Sequence, residues 1–221
     1  TSQSNNSVKL NYRLISNWLK MDGNNDYLRS SAPSSDFFNN EKSFTIEAWY
    51  KTPKDAVVNE VSIIGNYSKG QEASTVADIR IKGSADTNNS GKVFFVCAGL
   101  QGNNEGFLSS RRIDDDKWHH IAVVYDRNND NSVHMASIYI DGILDAELTI
   151  ASPNNHGNQN YISGGGYLHF SSSNRYRLGE MSATRFSRGV RYKSNFIPPL
   201  TYTNDSEARA AWNFNENSGL V

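Results

Sequence analysis

"DDDKWHHIAVVYD", residues 114–126, can be read as a metal or acid/base site, or as a turn feeding a buried strand. The fold depends on which reading holds. Along an extended chain, successive side chains point to opposite faces. His119, Ile121, Val123 and Tyr125 then share one face, while His120, Ala122 and Val124 share the other. Adjacent histidines on a strand cannot close on one ion. Asp114, Asp115 and Asp116 fit a polar turn ahead of the strand, with Trp118 as the anchor at its entry. His134, His156 and His169 stand at no short ligand spacing to the pair, so no zinc pattern emerges.

The same period of two recurs outward from this stretch. In "KSFTIEAWYKT", Phe44, Ile46, Ala48 and Tyr50 alternate with Thr45, Glu47 and Trp49. "VSIIGNY", "ADIRIKG", "KVFFVCAGL", "MASIYIDGILDAELTI", "GYLHFSSS" and "RYRLGEMSATRF" also read as strands, most of them bounded by Gly, Asn, Asp and Ser. Asp141-Gly142 between alternating apolar residues predicts a tight type I′ hairpin. "TNDSEARAAW" has room for one helical turn capped by Asn204, Asp205 or Ser206, and "AAWNFNENSGLV" reads as a last strand and a turn. Short strands with frequent turns and almost no helix predict an all-β protein, an antiparallel two-sheet β-sandwich or jelly roll. Residues 151–166 read as a surface loop, and residues 1–221 are expected to form a single domain.

Composition narrows the partners. Lys and Arg total 22 against 23 Asp and Glu, a formal charge of -1 with no basic stripe, which gives no support to nucleic acid or an anionic membrane. Mean hydropathy is -0.62, so the surface is polar, while an 11% aromatic share supplies a core. No apolar run reaches membrane-spanning length, and "TSQSNNSVKL" lacks the basic start and apolar core of a signal peptide. Cys97 is the single cysteine, so no intrachain disulfide can form, and it reads as a buried thiol.

Glu47 shares a strand face with Trp49, and an unpaired carboxylate buried there would be costly. His120 is the expected partner if strands 44–52 and 119–126 are neighbours in one sheet. The pair reads as structural before catalytic, because no second carboxylate can be placed at glycosidase spacing. In "WLKMDGNNDYLRS", Asp22 and Asp26 flank a Gly-Asn-Asn turn, either a polar hairpin turn or a hard-oxygen site for calcium. Trp49, Tyr161, Tyr167, Tyr176 and Tyr192 are candidates to stack on sugar rings, although most aromatics in a sandwich are core. "NSGK" and "SGGGY" do not form a phosphate loop, and no G-x-S-x-G elbow occurs.

"LKMDGNNDYL", "SFTIEAWYKT", "KWHHIAVVYD", "IYIDGIL" and "YRLGEMSATRFSRGVRY" occur in an order that resembles concanavalin A-like, laminin-G-type jelly-roll domains. The resemblance covers about residues 18–200, and "RGVRYKSNFIPP" is similar to the closing segment of such modules in bacterial surface and phage tail proteins. "AAWNFNENSG", within 208–221, is similar to a strand that closes one module or opens the next. The resemblance implies a noncatalytic recognition module in an extracellular, cell-surface or particle-surface setting, binding glycan or glycoprotein through rim loops or a sheet face. It implies a rim calcium in many relatives, which carries over to Asp22 and Asp26, although Asn24 and Asn25 stand where relatives often have another acidic residue. Related glycoside hydrolases use an E-x-D-x-x-E strand, and none occurs here. The alternative is a structural or assembly subunit that uses the sandwich for self-association or contact with neighbouring modules.

Overall fold

The computed structural model describes residues 15, 17–24, 26, 28–33, 43–54, 59–65, 77–97, 106–126, 134–150, 167–170 and 178–214. These residues form thirteen strands and no helix. In chain order they are β1 (Leu19–Asp22), β2 (Arg29–Pro33), β3 (Phe44–Lys51), β4 (Val61–Gly65), β5 (Ala77–Ile81), β6 (Lys92–Cys97) and β7 (Gly106–Arg112). The rest are β8 (Trp118–Asp126), β9 (His134–Ile140), β10 (Ile143–Ile150), β11 (Tyr167–His169), β12 (Leu178–Arg188) and β13 (Ala208–Trp212).

Two antiparallel sheets result. One runs β1-β12-β3-β8-β9-β10, with β13 also on β12, and the other runs β2-β11-β4-β5-β6-β7. Phe44, Ile46, Ala48 and Tyr50 of β3 face inward with Ile121, Val123 and Tyr125 of β8, and they meet Ile63, Ile79, Ile81 and Phe95 of the second sheet. The alternation read along residues 44–50 and 119–125 is therefore what builds the core. It also sends Glu47, Trp49 and His120 to the outer face of the first sheet.

The Asp141-Gly142 hairpin is formed as expected, with φ of 56° and 75° and Ile140 paired to Ile143. Elsewhere the structure departs from the sequence reading. The turn at Asp22 is no hairpin, because β1 lies in the first sheet and β2 in the second, so the chain crosses the sandwich there. The single turn expected near residue 205 forms, with Ala208 N–H donating to Asp205 O (3.1 Å), but it does not wind into a helix. Asp205 accepts the backbone N–H groups of Glu207 (3.0 Å) and Ala208 (2.9 Å), a capping pattern that launches β13 instead.

After β12, residues 189–203 turn back across the outer face of the first sheet. Val190, Tyr192 and Phe196 pack on Ala122, Val124 and Tyr139, while Leu200 and Tyr202 pack with Trp49 and Ala183. Backbone bonds stitch this strap down: Gly189 N–H to Ser43 O (2.8 Å) and Phe196 N–H to Gly142 O (2.8 Å).

Candidate functional site

The strap encloses a polar network centred on Glu47. In the sheet register Glu47 lies beside Ala122 and Arg185, and Trp49 beside His120, so His120 reaches Glu47 along a diagonal. His120 Nε2 lies 3.1 Å from Glu47 Oε2 and 3.0 Å from the Tyr202 hydroxyl. Arg185 donates Nε–H to Glu47 Oε1 (2.8 Å), and the Tyr192 hydroxyl donates to Oε2 (2.8 Å). His120 Nδ1 has no hydrogen-bond partner among the described residues, so Nε2 is the nitrogen that carries a proton toward the acceptors.

Burial pushes the Glu47 carboxyl up, but the hydrogen bond and charge of His120, with Arg185 and Tyr192, outweigh it and hold the carboxyl below its ordinary value. Burial and the Glu47 charge push both tyrosine hydroxyls up. Glu47 and His120 are both fully enclosed. The network ties β3, β8 and β12 to the strap and presents no face to a substrate.

Trp49, expected as a stacking aromatic, must be corrected. It is 1% exposed, and its indole N–H donates to Pro199 O at 2.7 Å. The strap occupies the ring face that a sugar would need. Tyr192 is likewise committed, stacked on Phe196 at 3.5 Å and bonded to Glu47. Tyr161 and Tyr176 lie outside the described residues. Tyr167 places its backbone in β11.

At the sandwich corner, Asp22 Oδ1 accepts Asn24 N–H (2.9 Å) and Asp26 Oδ2 accepts Asp22 N–H (2.8 Å). Asn24, first through its backbone N–H and then through its side chain, holds the Asp22 carboxyl below its usual range. Calcium takes six to eight oxygens. Two carboxylates that already accept the amides of their own turn fit a hydrogen-bonded corner rather than that ion. Among the described residues no group of three or more His, Cys, Asp or Glu is placed to hold a metal.

The adjacent His119 points the other way from His120, to the rim, where Nδ1 lies 2.9 Å from Asp141 Oδ2 and Nε2 lies 3.0 Å from Asp115 Oδ1. Burial lowers its pKa, but the two carboxylates outweigh burial and raise it. Stability from this pairing is therefore present in full below the ordinary histidine value of about 6.5 and is lost as pH rises through the higher folded value. His119→Gln is expected to lose more stability at pH 6 than at pH 9 in urea unfolding. An equal loss at both would mean that no charged imidazole is held there.

The second sheet carries a different outer face. Asp78, Arg80 and Lys82 alternate with the core residues Ala77, Ile79 and Ile81. Arg80 donates Nε–H to Asp78 Oδ2 (2.6 Å) and Nη1–H to Glu60 Oε2 (3.1 Å). Ser62 Oγ donates to Asp78 Oδ1 (2.6 Å), and Lys82 Nζ lies 2.5 Å from Glu60 Oε1 and 4.1 Å from the centroid of the Phe94 ring. Ser62 and Asp78 are closed off, whereas the Glu60 and Lys82 side chains are each 20% exposed and Phe94 is half-buried. Farther along this face, burial and the charge of Arg29 push the His169 imidazole pKa down. This cluster was not singled out from the sequence. Its signal was present in "ADIRIKG", where three charged side chains share one face of a strand.

A family model described as the concanavalin A-like lectin/glucanases superfamily, Laminin_G_3, matches residues 22–193. Among solved structures, a carbohydrate-binding module, CBM40, of the Ruminococcus gnavus IT-sialidase superposes with a TM-score of 0.57 at 16% identity, covering 80% of this chain and 92% of that one. A heptameric SAP-like pentraxin from Limulus polyphemus gives 0.53 at 16% identity, covering 80% and 79%. The enzymatically active domain of bacteriophage CBA120 tailspike protein 2 gives 0.51 at 12% identity, covering 90% of this chain and 30% of that one. No curated protein matches the sequence.

Proposed function

Since the chain belongs to the Laminin_G_3 family of the concanavalin A-like lectin/glucanase superfamily, we propose that it is a noncatalytic glycan-binding module, displayed outside the cell or on a particle surface. The observation that carries this reading is the asymmetry of the two outer faces. The first sheet's face is roofed over Glu47 and Trp49 by the strap, whereas the second holds fixed donors and acceptors beside Phe94. Fold alone does not assign a ligand. The chemistry does suit one: Asp78, itself bonded by Ser62, and Glu60 hold Arg80 in place, while Glu60 and Lys82 offer an acceptor and a donor to hydroxyls next to an aromatic ring. Weak single-site affinity would rise through several copies on one assembly.

A glycan array probed with the full chain, with calcium and with chelator, tests this reading. Binding is expected, and Phe94→Ala should weaken it about tenfold while leaving the β circular-dichroism spectrum unchanged. An empty array under both conditions would remove the glycan reading and leave the fold. Binding that needs calcium would assign the Asp22 corner to the ion after all.

One observation favours protein contact as a second reading. Ile143 and Leu144 on the β9–β10 hairpin and Ile197 on the strap are exposed at one corner, Ile197 at 75%, with Leu144 N–H bonded to Asn195 Oδ1. Self-association in size-exclusion chromatography that Ile197→Asp abolishes, together with an empty array, would favour an assembly subunit.

A further inference from the structure

Trp18 and Trp118 form an aromatic corner beside the strap residues Leu200 and Tyr202. β1 and β8 are separated by β12 and β3, so their backbones stand about 14 Å apart at ordinary strand spacing. Yet the two indole centroids are 6.4 Å apart at 65°. Both rings therefore lean toward each other over the sheet. Trp118 rests on the cluster of Trp49, Ala183 and Tyr202, which fixes its orientation, while Trp18 remains 46% exposed. A half-open indole is unusual for a side chain that is highly buried on average.

Charged residues stand in line with Trp118 across the sheet. The sheet register aligns Trp118, Lys51, Glu180 and Lys20 in one row across β8, β3, β12 and β1. Lys51 Nζ lies 3.3 Å from Asp116 Oδ1 and 3.7 Å from Glu180 Oε1. Two ammonium groups and two carboxylates give the set no net charge, so it favours neither an anion nor a cation. It supplies donors and acceptors beside an aromatic surface. An uncharged pyranose has that complement, with a C–H face to lie on an indole and equatorial hydroxyls to meet an ammonium and a carboxylate.

We propose that the Trp18–Trp118 corner is a second saccharide site, which takes an uncharged pyranosyl residue. It rests on the glycan-binding reading but lies on the opposite sheet from Phe94. Affinity electrophoresis of the full chain through gels containing galactomannan, glucomannan, β-1,3-glucan or xylan tests it. At least one polysaccharide is expected to retard the wild type, and Trp18→Ala should weaken that retardation about tenfold. Trp18→Tyr, which keeps a ring face, should remain within about threefold, whereas Trp18→Leu should behave like the alanine variant. Unfolding temperatures guard against a folding defect.

Three results would overturn the site: Trp18→Ala retarded like the wild type, Trp18→Leu retarded like the wild type, or no retardation by any neutral polysaccharide. In the first case a loss in Phe94→Ala alone keeps glycan binding and places it on the second sheet. In the last, array binding confined to acidic glycans does the same.

Discussion

Glu47→Ala is expected to lower folding stability by about 3–5 kcal/mol, because it leaves a buried cation without its counter-charge. Of its two carboxylate partners Arg185 then keeps only the more exposed Asp205 at 3.5 Å, while His120 and Tyr192 lose their shared acceptor. The strap loses a principal tie to the sheet. Equilibrium urea unfolding measures the loss, and a change below about 1 kcal/mol would mean that the network contributes no more than a surface ion pair. The contribution also has a pH signature. With the folded carboxyl held below its ordinary value, the stabilisation is present above about pH 4.5 and is lost as pH falls through the folded value. The difference between wild type and Glu47→Ala should therefore shrink in acid.

Gly142→Ala is expected to cost about 3 kcal/mol, through two effects at one atom. The residue sits at φ +75°, where a Cβ is strained. That Cβ would also lie 2.0 Å from the Phe196 carbonyl oxygen, which is backbone and cannot rotate aside. Relief requires either the hairpin or the strap to move, and the Phe196 N–H to Gly142 O bond joins the two. Thermal unfolding should show a clear fall in Tm. An unchanged Tm would mean that the strap yields there at little cost.

These two sites illustrate what was legible in the sequence. Alternation along β3 and β8 places Glu47 and His120 on one face of one sheet, and Asp141-Gly142 announces its turn by residue type. The same alternation misled for Trp49. A period of two says which face a side chain takes, and it says nothing about whether distant chain covers that face. The strap "GVRYKSNFIPPLTY" has no period because it pairs with no strand, and its aromatics fit the pits between Trp49, Ala122 and Tyr139 one at a time. β1, β2 and β7 escaped notice for a related reason. As edge strands they have open or half-open positions, so "LKMD", "RSSAP" and "GFLSSRR" carry little apolar alternation. Arg185 and Tyr202 could not be joined to Glu47 from spacing, since sequence separations of 138 and, for Tyr202 to His120, 82 residues are closed only by the sheet order.

The central claim is that the strap keeps the Glu47 face closed in the working protein, so that saccharide is met elsewhere. Proton–nitrogen NMR spectra, recorded while an oligosaccharide retained on the array is titrated in, test this through the four tryptophan indole resonances. The Trp49 indole N–H, bonded to Pro199 O, is expected to stay slow to exchange with deuterium while amides around Lys82 and Phe94 move. Rapid exchange of that proton as sugar is added would mean that the strap opens and that Glu47 lies in the binding face.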